Sequence, residues 1–281
     1  MLKRFLLLSV FALLCCGLFA RNDEPHKNVW SNDKGNVWIK NIPQVSQKRN
    51  YCVPAAVSMV TRYFDSKITQ KKLAKIFETD SKQGTLDTNF MEAFKTVPEL
   101  QGFVLEPLYI LTKDEYDKMM ALYEANSRKK RKRRPTLDEN SGNVFDAVNR
   151  DTARKVFPQA RPQLAAVMTG LCYKYINAGI PVLWSVAMNL DPAVKMKGGH
   201  MRLIVGYNRQ NGKIKKILYR DPWGGSTKFK QVDFEDAQTM TMQLYVMYPA
   251  DNAPNPATYY LPKVKKATQK QLVKPKPCCP R

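Results

Sequence analysis

The sequence predicts an α+β fold, with a helical half first and an antiparallel sheet half after it. Two observations carry this. Between Cys52 and Phe94 the apolar residues recur at helical spacing, as at Ala56, Met59, Val60 and Tyr63, and again at Leu73, Ile76 and Phe77. From Ile180 onward they fall instead into short β-rich runs, with Asn211-Gly212 between two of them as a hairpin signal. Helices followed by strands, rather than alternating with them, mark the α+β class.

In chain order, Met1-Leu2-Lys3-Arg4 and the apolar run Phe5 to Ala20 read as a signal peptide, residues 1–20, too short for a comfortable membrane span. Lipid attachment at Cys15 or Cys16 is the weaker alternative, because Leu14 and Cys15 are not the small residues that precede such a site. The protein is therefore expected to be exported, as a secreted or periplasmic protein, with no transmembrane helix in the mature chain. Residues 21–36 read as a polar leader and 37–250 as one domain. Val37-Trp38-Ile39 is a short extended piece feeding the first helix, which runs from Cys52 to about Phe64. Further helices are expected at Thr69 to Phe77, Leu86 to Phe94 and Asp114 to Glu124, and a strand at Val104 to Ile110. Apolar stripes on these helices are core packing.

Seven consecutive basic residues, Arg128 to Arg134, precede Pro135. Such a run repels itself, so about 126–150 reads as an inserted, solvated loop, with a polyanion contact or a processing site as its functional readings. A helix over 162–177 ends at Gly179, a residue suited to a helix C-terminus. The strands Ile180 to Val186, the run opened by His200, Lys213 to Tyr219, Thr227 to Val232 and Thr241 to Tyr248 complete the domain. Residues 251–281 form a Pro-rich basic tail with seven Lys or Arg and no acid between Lys263 and Arg281. The net charge of +22 predicts attraction to anionic partners such as a cell-surface polymer or nucleic acid, through the insert and the tail.

Chemistry concentrates at two places. Cys52 opens the first helix, with Pro54 inside the first turn where a missing N–H is harmless. Backbone amides and the helix dipole there favour a thiolate. Gln47, five residues earlier, can offer its side-chain amide to an oxyanion; Gln44, eight residues earlier, is a rival with less suitable reach. A base follows by elimination. The chain has two histidines, and His26 lies in the polar leader, which leaves His200. Asp221 stands at the end of the next strand, where a hairpin brings it near the imidazole to orient it. Taken singly, Cys52 and His200 are ordinary structural residues; it is their joint order that points to covalent catalysis.

Gln-x4-Cys-x-Pro-Ala-Ala at a helix start, Gly-His on a strand and Asp-Pro after the next strand resemble the papain-like cysteine peptidases. The double-glycine leader peptidases and their stand-alone exported relatives are the most similar group. The resemblance runs from about Ile42 to Tyr248. It implies a papain-like fold with Cys on the helical half and His and Asp on the sheet half. It also implies Cys52 as nucleophile, His200 as general base, Asp221 as orienting acid and Gln47 as oxyanion donor. The reaction implied is hydrolysis of peptide bonds, with small residues before the cleaved bond; acyl transfer to an amine uses the same groups. The residue after the Cys is usually Gly in that group and here is Val53, which cannot readily take a positive φ. The other reading open at this stage is an inert module on the same fold that holds an anionic partner.

Of six cysteines, only Cys52 and Cys172 lie in the domain; Cys172 reads as a buried small hydrophobe, and a disulfide between the two would oppose catalysis. Without a His/Cys cluster no zinc site and no cofactor are expected, and no transporter or ATPase region is recognised in the chain.

Overall fold

The computed structural model describes residues 26–127, 144–224 and 226–252. The expected signal peptide, the run Arg128–Arg134 and the tail beyond 252, with Cys15, Cys16, Cys278 and Cys279, lie outside them.

A short hairpin comes first, β1 (Val29–Ser31) and β2 (Asn36–Ile39). Three helices follow, α1 (Cys52–Tyr63), α2 (Gln70–Ile76) and α3 (Asp87–Thr96). Next come β3 (Phe103–Ile110), α4 (Lys113–Asn126), α5 (Arg150–Ala160) and α6 (Pro162–Leu171). The chain ends in β4 (Val182–Ala187), β5 (Gly199–Gln210), β6 (Lys213–Arg220), β7 (Lys230–Asp233), α7 (Phe234–Met240) and β8 (Thr241–Pro249). The fold is α+β, with seven α-helices and one eight-stranded antiparallel sheet among the described residues.

The long strand β5 organises the sheet. At Ile204 it pairs with Val182 of β4 on one side and Tyr219 of β6 on the other. Beyond β4, the same edge of β5 is taken up by β2, with Trp38 opposite Gly206. A Cβ at Gly206 would lie 2.3 Å from the Val37 carbonyl oxygen, so the hairpin can approach only because this position has no side chain. Asn211 and Gly212 both have positive φ, the conformation a two-residue turn needs to match strand twist, and they return the chain into β6.

Helix α1 is buried along nearly its whole length, Cys52 to Thr61, and packs on β5 and α2. A helix apolar all round belongs in a core. The expected helix over 162–177 is α6 continued by a π turn, Cys172–Ile176, with Gly179 at φ +74 closing it.

Four expectations are adjusted. The leader over 21–36 contains β1, whose Val29 is buried and whose Trp30 pairs with Trp38. The insert expected over 126–150 is core-bound at its end: Phe145 and Val148 are buried, and Phe145 packs edge-on against Tyr116 and Phe157. Helix α5 was not anticipated, although Ala153, Val156, Phe157 and Ala160 make a helical stripe; its other positions are mostly charged or polar. Helix α7 intervenes between the last two strands.

Arg161, between α5 and α6, is almost fully buried and ties their junction to the end of α7. Its Nη1 donates to the Thr241 carbonyl at 2.6 Å, and Nη2 donates to the Gln238 and Thr239 carbonyls at 2.7 and 3.2 Å. These are acceptors that the end of α7 leaves without intrahelical partners. Replacing Arg161 with Met is expected to lower unfolding stability by about 3 kcal/mol, because buried carbonyls lose charged donors. Urea denaturation measures it, with a loss under about 0.5 kcal/mol contradicting the role.

Candidate active site

The chain is steered into α1 by a tight turn. Tyr51 N donates to Lys48 O at 3.0 Å, and Asn50 takes a left-handed φ of +62. Asn tolerates that region better than most residues. Its side chain is anchored by Nδ2 to Ser81 O at 2.8 Å. Gln70 clamps the segment leading into the turn, accepting from Lys48 N and donating to Ser46 O. Tyr51, at the N-cap, supplies no side-chain cap, and the first helical bond runs from Ala55 N to Tyr51 O. The positive end of the helix therefore opens at Cys52 rather than onto a capping oxygen. Val53 lies within α1 and is absent from the positive-φ residues, so its branched side chain meets no backbone conflict.

His200 is the second residue of β5, opposite Val186 of β4, and Asp221 follows the last residue of β6. His200 Nε2 and Asp221 Oδ1 are 2.8 Å apart, as the hairpin expectation required. Both side chains are buried. Asp221 Oδ1 also accepts from Trp223 N at 2.9 Å, while Oδ2 accepts from Arg202 Nε at 3.2 Å and lies 3.6 Å from Lys230 Nζ. Burial by itself would raise the Asp221 carboxyl. The His200 hydrogen bond and charge, Arg202 and the Trp223 amide outweigh it and hold the group well below the usual carboxylate range. An ionised Asp221 can only accept, so Nε2 carries the hydrogen, and in the neutral imidazole the lone pair is then on Nδ1. Nδ1 is buried and has no hydrogen-bond partner. The indole of Trp223, itself 39% exposed, lies 5.2 Å from the imidazole, centroid to centroid.

The two glutamines divide. Gln44 Nε2 donates to the carbonyls of Asp221 and Gly224 at 2.9 and 2.8 Å, which makes it a brace for the loop after β6. Gln47 joins the same loop through its backbone, N to Pro222 O at 2.8 Å, and its side-chain Oε1 is buried without a partner. The segment before Cys52 and the loop carrying Asp221 are thus fastened together, while α1 packs on the strand carrying His200. Cys52 and His200 both have 0% exposure.

Cys52 and Cys172 are not joined in a disulfide. Burial pushes the Cys172 thiol far up, as suits an inert core residue. His26 stands apart from the site: its ring lies against Gly179, and Nδ1 accepts from Asn28 N at 3.3 Å. Among the described residues no group of three or more His, Cys, Asp or Glu could hold a metal ion.

Two residues of this site escaped the sequence reading, Arg202 and Asp191. Arg202 reaches Asp221 from the same strand face as His200. The signal was present, since positions two apart on a strand share a face.

The family model for the peptidase C39-like family matches residues 39–117 and 167–248, more than half of the chain. Among solved structures, one described as a C39-like peptidase from Bacillus anthracis is 14% identical, with 76% of this chain and 97% of that chain covered and a TM-score of 0.40. The peptidase domain of ComA from Streptococcus, a bifunctional ABC transporter of a quorum-sensing pathway, is also 14% identical, with 74% and 99% covered and a TM-score of 0.37. A comparison with curated proteins found no match.

Proposed function

This chain belongs to the peptidase C39-like family, and on that premise we propose that it is an exported cysteine peptidase that hydrolyses peptide bonds through Cys52, His200 and Asp221. The observation that carries the reading is the state of the His200 ring. One nitrogen is committed to a carboxylate, and the other is buried and without a hydrogen-bond partner. That is the tautomer a general base needs.

In this reading Nδ1 of His200 takes the Cys52 thiol proton, and the sulfur attacks the substrate carbonyl. The oxyanion of the tetrahedral intermediate is stabilised by the Cys52 amide and the Gln47 side-chain amide. His200 then passes its proton to the leaving amine. Water, deprotonated by the same nitrogen, releases the acid product and restores the thiol. Asp221 stays ionised throughout and stabilises the imidazolium. If an amine replaces water the outcome is acyl transfer.

The resemblance favours peptides with small residues before the cleaved bond. Incubation of the purified protein with a peptide library, read by mass spectrometry, is expected to show cleavage after small residues that a Cys52→Ala variant does not perform. Cleavage equal in that variant would overturn the reading.

A second reading rests on the complete burial of Cys52 and His200. In it the fold is catalytically inert and the charge of +22 holds an anionic polymer. Its sign would be absence of cleavage together with polyanion binding that weakens steeply with salt.

A further inference from the structure

We propose that Arg202, anchored by Asp191, is a positioning residue that holds the Asp221 carboxylate against His200, so that the site works as a chain Asp191–Arg202–Asp221–His200. The inference deepens the peptidase reading and rests on it.

The geometry is specific. Arg202 Nη1 stands 2.5 Å from Asp191 Oδ2, and Nε donates to Asp221 Oδ2 at 3.2 Å. The side chains of Arg202 and Asp191 have no exposure and that of Asp221 is 4% exposed. Nη2 is buried without a hydrogen-bond partner, and aromatic rings flank the guanidinium. Its carbon lies 4.6 Å from the Tyr219 ring centroid and 6.0 Å from that of Trp184, and Nη1 approaches the Met240 sulfur at 3.7 Å. Asp191 is itself fixed by Ala193 N on Oδ1 at 2.8 Å.

A core arginine needing only a counter-ion would be satisfied by Asp191 alone. Here it spans two carboxylates, and the second is the one bonded to His200. With Oδ2 taken by Arg202, Oδ1 is left for Nε2 and the Trp223 amide. The charges also balance. Asp191 cancels Arg202, which leaves one net negative charge, on Asp221, for the imidazolium that forms when Cys52 ionises. Arg202 unopposed would repel that imidazolium. The remaining charged group is Lys230, on β7, at 3.6 Å from Asp221 Oδ2 with its side chain half exposed and screened by solvent.

The test is the pH dependence of Cys52 alkylation by iodoacetamide in the full-length protein, located by mass spectrometry, which needs no substrate. Asp191→Asn uncovers the Arg202 charge, and the alkylation midpoint is expected to rise by about one pH unit, the size of a partly screened charge at short range. A folded Asp191→Asn variant with the wild-type midpoint, or with a uniform rate loss at every pH, would overturn the proposal. If that variant does not fold, Arg202→Lys decides. Lysine keeps the charge but cannot span both carboxylates in the same fork, so an about tenfold fall of the plateau rate with the midpoint retained is expected. Labelling unchanged from wild type would overturn the proposal. His200→Ala is the separating control. A wild-type midpoint in that variant would sink the Cys–His reading itself, independently of Arg202.

Discussion

Replacing Cys52 with Ala is expected to reduce peptide hydrolysis by at least about ten-thousand-fold, with a stability loss of about 1 kcal/mol or less. The size follows from the role. In the proposed mechanism the sulfur forms the covalent bond, and what remains without it is binding and oxyanion stabilisation, which accelerate the reaction far less. The small stability loss follows from the size of the change. Cys52 is fully buried in α1 and the substitution removes a single heavy atom, a cost of about 1 kcal/mol or less. Kinetics beside urea denaturation checks both halves. A variant that is inactive because it has unfolded would fail the second half, and one retaining a tenth of wild-type activity would fail the first.

Asp221→Asn carries the next largest effect, on activity and on stability together. In the proposed mechanism an amide in place of the carboxylate removes the charge that stabilises the imidazolium and can present N–H where Nε2 needs an acceptor. A loss of about a thousandfold in kcat/KM is expected, in line with the effect of mis-set histidine tautomers. The same change leaves Arg202 with Asp191 as its remaining carboxylate partner, in a place with no solvent. Breaking one arm of a buried charge network is expected to cost about 2 kcal/mol at pH 7. The pH dependence has a definite sign. The Asp221 carboxyl is depressed in the folded protein, so its contribution is complete above the unfolded value of about 4 and is lost as pH falls from there toward the folded value. The stability gap between wild type and variant is therefore full at pH 7 and narrower at pH 3. A gap that widens in acid would contradict the assignment.

Much of the architecture was legible because it rests on local rules. The α1 stripe, the Asn211-Gly212 turn and the short runs after Ile180 each use one periodicity or one turn type. The order of Gln47, Cys52, His200 and Asp221 pointed to a site before any contact was known, and the hairpin indeed brings His200 to Asp221. What stayed hidden depends on partners far away in sequence. Gln44 was set behind Gln47 for its less suitable reach, and its amide proves to be engaged by carbonyls at Asp221 and Gly224, more than 170 positions away. Arg202 looked like one basic residue among 46, and only burial between two aspartates sets it apart. Helix α5 was obscured because its four exposed charges equal its apolar stripe in number. The division of one edge of β5 between β4 and β2 is a property of topology that no window of sequence contains. Val53, a departure from the usual glycine, meets no backbone conflict because the helix has already begun there.

The most direct test of the account is the reactivity of Cys52 itself. The purified protein is treated with iodoacetamide from pH 5 to 9, with the label located by mass spectrometry, beside His200→Ala. An activated pair predicts rapid labelling of Cys52 well below pH 8, lost when His200 is removed. Slow labelling that follows the profile of an ordinary thiol in both proteins would contradict it, and would leave the fold without the chemistry assigned to it here.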